Sequence, residues 1–250
     1  NKTGARSSCT ALILAALALV IPSVFHYAAA QRPGGWTPAA EQNLSLAIAA
    51  VLLGTYCATL IFSLVTHKQL FVGSSADLAS GSTPPARSND DHDPVWPVGK
   101  AVSVLLAATL LIAWMSEFLV GAVEAAQHSL GVTEVFVGVI IVAIVGNAAE
   151  HSTAVTMALK NKMDLTFGIA IGSSLQIALF VAPVLVFSSY LFPHRLNLEF
   201  TLPEIAAVVM AAFVTDQIAG DGECNWLEGV QLLALYLILG ILFYFLPGAS

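Results

Sequence analysis

The sequence predicts an all-α membrane protein with about seven transmembrane helices. The chain has 250 residues, of which 57% are hydrophobic and only 10% carry a charge. Soluble domains have about 25% charged residues, and a membrane-spanning helix needs about 20 mostly apolar residues. Apolar stretches of that length recur along the whole chain, so the composition and the segment lengths both favour a polytopic helical fold.

Seven stretches are long and apolar enough to span a bilayer. They lie at about 9–30, 44–66, 101–126, 133–159, 166–192, 201–219 and 226–246. The first follows a basic start but is longer than the apolar region of a signal peptide, about 7–15 residues. Because the chain opens at Asn1 without an initiator methionine, we expect a fragment. The longest gap, 67–100, is rich in Ser, Pro, Gly and Asp, a composition typical of disorder.

The basic residues of the loops predict the orientation. Seven would lie on one side of the membrane and two, Arg32 and Arg195, on the other. The seven are Lys2, Arg6, Lys68, Arg87, Lys100, Lys160 and Lys162. Cytoplasmic loops are enriched in Lys and Arg, so the N-terminus and the 67–100 linker are predicted to be cytoplasmic, with the C-terminus on the far side. The basic residues form no patch, so we expect no nucleic-acid partner.

Residues 146–151, which read Gly-Asn-Ala-Ala-Glu-His, place polar groups inside the fourth span. A carboxylate at bilayer depth costs roughly 2.5–3.5 kcal/mol and usually marks a functional site. On a helix, Asn147, Glu150 and His151 share one face, and the glycine permits close helix approach or a local break. Carboxylate and amide oxygens suit Ca²⁺ or another hard cation. For His151, the roles of ligand, proton carrier and donor that orients Glu150 all stay open.

Residues 172–176, which read Gly-Ser-Ser-Leu-Gln, also place polar groups after a glycine, inside the fifth span. The side chains of Ser173, Ser174 and Gln176 offer neutral oxygens that can complete the shell of a hard cation. Hydrogen bonding between helices by small polar residues is the alternative. Their occurrence in the span after Glu150 favours a shared cation site.

The third span carries Glu117 and Glu124, seven residues apart and therefore on one helical face. Two acids on one face of a membrane helix indicate a water-filled path, although Glu124 also fits a position near the membrane interface. At the start of the seventh span, either Asp221 or Asn225 is predicted to cap the helix. The three cysteines are far apart and indicate neither a disulfide framework nor a zinc site. We expect no cofactor.

The runs 146–151 and 172–178 resemble the second conserved repeat of the cation/proton exchangers, the Ca²⁺/H⁺ antiporters of the Ca²⁺:cation antiporter superfamily. Residues 66–67 (Thr-His) and 221–229 are similar too, and the match covers nearly the whole chain. The resemblance implies two inverted helical repeats with the ion site between them. Residues 1–66 would then be the last two helices of the first repeat, whose own motif is absent, 67–100 a cytoplasmic linker, and 101–250 the second repeat with five transmembrane helices.

The resemblance also implies a function, the exchange of Ca²⁺ or other divalent cations for H⁺ rather than an enzymatic reaction. Glu150 would bind Ca²⁺ and protons alternately. Asn147, Ser173, Ser174 and Gln176 would support it, and Glu117, Glu124 and His151 would serve the ion or proton path. The expected location is a vacuolar, other endomembrane or bacterial inner membrane. The expected partner is the missing N-terminal repeat or a second copy of the chain.

Three alternatives accompany this reading. A half-transporter that works as a homodimer is the first. The span count also fits a seven-span receptor, but a retinal protein needs a lysine in the last span, and 226–246 has none. The adjacent Glu150 and His151 weakly suggest an intramembrane enzyme, although the common hydrolase and metalloprotease motifs are not present.

Overall fold

The computed structural model describes residues 2–30, 37–66, 97–220 and 222–246. Within these ranges the regular structure is helical, so the all-α prediction is confirmed. The α-helices are α1 Lys2–Ala30, α2 Pro38–Ile61, α3 Val98–Leu130, α4 Glu134–Phe136, α5 Ala143–Gly146, α6 Ala148–Leu159, α7 Met163–Gln176, α8 Ala182–Ser189, α9 Leu202–Ala219 and α10 Trp226–Phe245. Three π-helical turns, Phe62–Thr66, Val137–Val142 and Ile177–Val181, continue or join them.

The number of membrane-length segments agrees with the prediction of about seven spans. In the described part of the chain, six helical segments are long and apolar enough to cross a bilayer, and the broken run from Glu134 to Leu159 makes a seventh. The ends of some segments differ from the predicted ones. Helix α1 begins at Lys2, and α3 begins at Val98, so the last residues of the predicted 67–100 linker are helical. Residues 67–96 lie outside the described part.

The fourth predicted span, 133–159, is not one continuous helix. Helix α5 ends at Gly146 and α6 begins at Ala148, with Asn147 between them at φ −98° and ψ 12°. Glycine is among the weakest helix formers, and an asparagine side chain competes for backbone hydrogen bonds. Gly146 and Asn147 together therefore favour the break in the helix, which was one of the two roles considered for the glycine.

Local capping determines where the last two long helices begin. Thr201 and Glu204 form a capping box at α9. At α10, the Glu228 N–H donates to Asn225 Oδ1 at 3.0 Å and the Asn225 N–H donates to Glu228 Oε2 at 2.9 Å. Reciprocal bonds of this kind satisfy donors that the first helical turn leaves unpaired. Asn225 is thus confirmed as the cap, whereas Asp221 lies outside the described residues.

The chain divides into two compact units by packing. The first combines residues 1–79 with 147–239, and the second combines 80–146 with 240–250. In the first unit, α1 packs against α2, α7 and α9, and α2 packs against α8. In the second, the Phe136 and Tyr244 rings meet edge to face with their centroids 5.5 Å apart. Division of the chain into exchanger repeats stays a prediction.

The core of the first unit orients α7. Ile171 is buried against Cys9 of α1 and Ala219 of α9, and Leu175 packs on the same cluster one turn later. Successive helical residues are about 100° apart, so Ser173, two positions from each, lies on the opposite face of α7. Burial of the apolar face therefore directs Ser173 away from this core, and α6 packs on α7 as its other neighbour.

Candidate cation site

A hydroxyl and a carboxylate meet across helices α6 and α7. Ser173 Oγ donates a hydrogen bond to Glu150 Oε2 at 2.5 Å. Hydrogen bonds from a hydroxyl to an ionised carboxylate are typically about 2.5–2.7 Å long and roughly twice as strong as neutral ones. The predicted association of the two polar runs is therefore present at one pair of side chains.

A second hydrogen bond sets the register of the same two helices. Thr166 Oγ1 donates to the Ala154 carbonyl at 3.1 Å. Ala154 lies one turn after Glu150 on α6, and Thr166 lies two turns before Ser173 on α7. Residues four or seven apart share a helical face, so both bonds join the same faces of two antiparallel helices.

By this register, two more predicted ligands would lie about one helical turn beyond the pair. Asn147 lies three residues before Glu150, and Gln176 lies three residues after Ser173. Because the helices are antiparallel, the steps from Glu150 to Asn147 and from Ser173 to Gln176 run in the same direction along the bundle. The faces of α6 and α7 that meet thus carry one carboxylate, two amides and one hydroxyl, all oxygen donors that hard cations prefer.

Two predicted site residues, Ser174 and His151, lie on other parts of the helix surface than Ser173 and Glu150. Ser174 follows Ser173 by about 100° around the helix, and its Oγ donates to the Ala170 carbonyl of its own helix at 3.0 Å. His151 follows Glu150 in the same way, and its side chain is exposed. In the described part of the chain, neither side chain forms a hydrogen bond with Glu150 or Ser173.

Two of the predicted path residues, Glu117 and Glu124, belong to the second unit. Glu117 lies on α3 and is exposed, and the neighbouring Ser116 Oγ donates to the Ala113 carbonyl at 2.8 Å. Glu124 is on the same helix, but its side chain lies outside the described part. Glu117 and Glu124 are described only within the second unit, so their role in an ion path stays a prediction.

A second polar cluster, which the sequence pattern did not predict, lies in the first unit. His26 Nδ1 and Glu41 Oε1 are 2.6 Å apart, and Glu41 is only 2% exposed. Glu199 joins them from the segment before α9. Burial, followed by its hydrogen bond with Glu41, raises the pKa of Glu199 above its ordinary value. An acid in the first turn of α2 resembles an ordinary helix start, so only the tertiary contacts reveal this cluster.

The fold and the Glu150–Ser173 pair define a polytopic helical membrane protein with a polar oxygen site set between two of its helices. The chain belongs to the sodium/calcium exchanger protein family, whose family model matches residues 100–245. This match covers more than half of the chain and includes both polar runs. The resemblance to the cation/proton exchangers is thereby confirmed, and the protein is an integral membrane protein.

Relatives and solved structures agree with this membership. The chain is 44% identical to the Ca(2+)/H(+) antiporter ChaA of Bacillus subtilis, across 98% of this chain and 66% of that protein. It is 36% identical to vacuolar cation/proton exchanger 1a of Oryza sativa, across 95% and 52%. The structure of native YfkE superposes with a TM-score of 0.74 at 41% identity, across 98% and 65%. The chain thus spans less than two thirds of the length of these relatives.

Proposed function

We propose that this chain takes part in secondary active transport that exchanges Ca²⁺ for H⁺ across a membrane, with Glu150 as the group that both ions occupy in turn. The observation that carries this proposal is the 2.5 Å hydrogen bond from Ser173 Oγ to Glu150 Oε2. The choice of ions is supported by similarity to proteins named Ca(2+)/H(+) antiporters and vacuolar cation/proton exchangers.

The chemistry follows from the carboxylate. A proton on Glu150 removes the charge that attracts a cation, and a bound cation repels the proton, so the two occupy the site in alternation. The Ser173 hydroxyl donates a hydrogen bond to this carboxylate. A hydroxyl also carries acceptor lone pairs and can rotate, so the same oxygen can turn toward a cation that binds Glu150. If access alternates between the two sides, a proton gradient drives Ca²⁺ movement.

The number of oxygen ligands in this chain indicates whether a partner must complete the Ca²⁺ site. Ca²⁺ takes about 6–8 oxygen ligands in proteins, more than Asn147, Glu150, Ser173 and Gln176 provide together. The remaining oxygens would come from a first repeat or from a second copy of this chain. Ser174 stays in the proposed set, with a smaller role because its hydroxyl donates to Ala170.

The proposed ion path uses the other predicted polar residues. Glu117 and Glu124 would line the route to the site, and His151 would carry protons beside Glu150. These assignments rest on the acidic face of α3 and on the position of His151 next to the carboxylate. They are tested separately from the site, since a path residue changes rate more than ion affinity.

The decisive test is Ca²⁺ uptake into inside-out membrane vesicles that contain the protein, under an imposed proton gradient. Glu150→Gln keeps the size of the side chain but removes its charge, and we expect uptake to fall to background. The matched control is Glu134→Gln, which changes an exposed acid in the first turn of α4. Uptake that persists with Glu150→Gln would exclude Glu150 as the shared ligand.

The source of the missing ligands has its own test. The mass of the detergent-solubilised complex, measured by light scattering with the detergent contribution subtracted, gives the number of copies. A complex with two copies, in which tagged and untagged chains co-purify, supports the homodimer. A single copy supports a first repeat within the same polypeptide.

A further inference from the structure

The segment before α9 is attached to the ends of α1 and α2 by two buried serines. Ser23 Oγ accepts from the Phe200 N–H at 2.7 Å and donates to the Leu198 carbonyl at 3.4 Å. Ser45 Oγ accepts from the Leu198 N–H at 3.2 Å. Ser23 and Ser45 are 1% and 0% exposed. The backbone on both sides of Glu199 is therefore fixed.

The same anchors bring three potential metal ligands together. His26 lies one turn after Ser23 on α1, and Glu41 lies one turn before Ser45 on α2, so each shares a face with its serine. Ligand atoms of His26, Glu41 and Glu199 all lie within 4.8 Å of one another. Asn197 Nδ2 donates to Glu199 Oε1 at 2.8 Å and orients that carboxylate. Three separate elements thus converge on one point.

The cluster combines two carboxylates with one imidazole. Arg195, which lies on the same segment as Glu199, makes contacts outside the cluster. Its Nη1 donates to Gln42 Oε1 at 3.1 Å, and its guanidinium lies 4.6 Å from the centre of the Tyr190 ring. A cation bound between Glu41 and Glu199 would offset the repulsion between two neighbouring carboxylates.

We propose that His26, Glu41 and Glu199 form a divalent-metal site for Zn²⁺, a cation of borderline softness, separate from the Glu150 site. One imidazole nitrogen and two carboxylate oxygens make a mixed donor set that suits Zn²⁺ better than Ca²⁺, which prefers an all-oxygen shell. Zn²⁺ bonds of about 2.0–2.2 Å place tetrahedral ligands roughly 3.4 Å apart. The ligand atoms of the cluster, all within 4.8 Å of one another, lie in the same range of distances.

The distance along the fold separates this site from Glu150. Ser173, the partner of Glu150, and Ser189, the last residue of α8, belong to one uninterrupted helical run. At 1.5 Å per residue, that run places them about 24 Å apart. Glu199 follows Ser189 by a further ten residues and is held at the ends of α1 and α2. A metal at this cluster would therefore link three segments at the end of the bundle without touching the transport ligand.

The test is metal binding by the purified, detergent-solubilised chain after treatment with a chelator and dialysis. Zn²⁺ is counted by mass spectrometry, and Co²⁺ is used as a coloured substitute whose visible absorption reports nitrogen and oxygen ligands. We expect one equivalent in the unmodified chain. Glu199→Gln and His26→Gln should each lower the affinity by at least about tenfold, the loss that follows removal of even a supporting group.

The controls separate this site from the rest of the protein. His194→Gln changes an exposed histidine of the same segment, and Glu150→Gln removes the proposed transport ligand. Both variants should still bind one equivalent of metal. A failure of the transport proposal would therefore not affect this result. Absence of a bound equivalent, or equal affinity in Glu199→Gln, overturns the proposal. Because Glu199 is exposed, that variant is expected to fold and to decide the question even if His26→Gln does not.

Discussion

Thr166 and Ser173 lie seven residues apart on one face of α7, and both hydroxyls donate to α6, to the Ala154 carbonyl and the Glu150 carboxylate respectively. The Thr166 bond ends on a backbone carbonyl and contributes to the packing of the two helices. The Ser173 bond ends on the carboxylate that we propose as the ion ligand. The stability of the helix pair and the binding of an ion can therefore be tested separately by substitutions on a single helix face.

Ser173→Ala should weaken Ca²⁺ binding more than Ser174→Ala. Ser173 contacts Glu150 directly, whereas Ser174 donates to Ala170 within its own helix. We expect about a tenfold rise in the Ca²⁺ KM of vesicle uptake for Ser173→Ala, equivalent to roughly 1.4 kcal/mol, and less than about a twofold change for Ser174→Ala. Equal effects of the two substitutions would contradict the geometry of the pair.

Thr166→Val should reduce stability without a comparable effect on ion affinity. The change keeps the shape of the side chain but leaves the Ala154 carbonyl without its donor on α7, at a cost of about 1 kcal/mol. Thermal unfolding in detergent measures it. Thr153→Val is the matched control because Thr153 Oγ1 donates only to Ala149 of its own helix, and its effect should stay within about 0.5 kcal/mol. A similar loss in both variants would argue against a hydrogen bond between the helices.

The features that the sequence predicted are those set by local pattern. Apolar segment length predicted the helical fold and the number of spans, and Asn225 was recognisable as a cap because its partner, Glu228, lies three residues away. The Glu150–Ser173 contact depends on the register of two helices. The face of α7 that carries Ser173 is also oriented by Ile171, which packs against residues far along the chain. The sequence therefore indicated the two polar runs without pairing their atoms.

The cluster of His26, Glu41 and Glu199 could not be predicted from the sequence. Each residue has an ordinary local interpretation: an interfacial histidine, an acid at a helix start and an acid in a loop. Their association depends on Ser23 and Ser45 binding the backbone beside Glu199. No periodicity or spacing encodes such a contact, since it joins side chains to the backbone of a distant, irregular segment.

Ser23→Ala should loosen that segment. The substitution leaves the buried Phe200 N–H and Leu198 carbonyl without their shared partner, which costs about 1–3 kcal/mol. We expect a lower unfolding temperature and faster amide hydrogen exchange at Phe200. Ser63→Ala serves as the control because Ser63 Oγ donates only to the Leu60 carbonyl within its own helical run. Unchanged exchange at Phe200 in Ser23→Ala would show that the anchor does not hold the segment.

Leu52→Ala should be the more damaging of two leucine truncations. Leu52 is 1% exposed and packs with Ala15 of α1 and Leu179 of the π-helical turn. Removing a buried leucine side chain typically costs about 2–5 kcal/mol, depending on how well the cavity collapses. The control is Leu233→Ala, since Leu233 is 65% exposed. If the two variants unfold at the same temperature, the cluster around Leu52 does not stabilise the first unit.

The turn between α6 and α7 should depend on the residue at position 161. Asn161 has φ +57°, its N–H donates to the Ala158 carbonyl at 2.9 Å, and the Lys162 N–H donates to the Met157 carbonyl at 2.9 Å. This is the Schellman arrangement, in which the left-handed residue is usually Gly or Asn. A residue with a Cβ and no compensating side-chain hydrogen bond costs roughly 1–2 kcal/mol in this conformation.

Asn161→Ala should therefore destabilise the chain by about 1 kcal/mol, while Asn161→Gly should unfold at or above the temperature of the unmodified protein. The comparison isolates backbone strain because both variants lose the amide side chain. Since the turn sets the register that aligns Glu150 with Ser173, Asn161→Ala should also raise the Ca²⁺ KM more than Asn161→Gly does. Two variants with the same unfolding temperature and the same KM would mean that the left-handed turn neither stabilises the helix pair nor aligns the site.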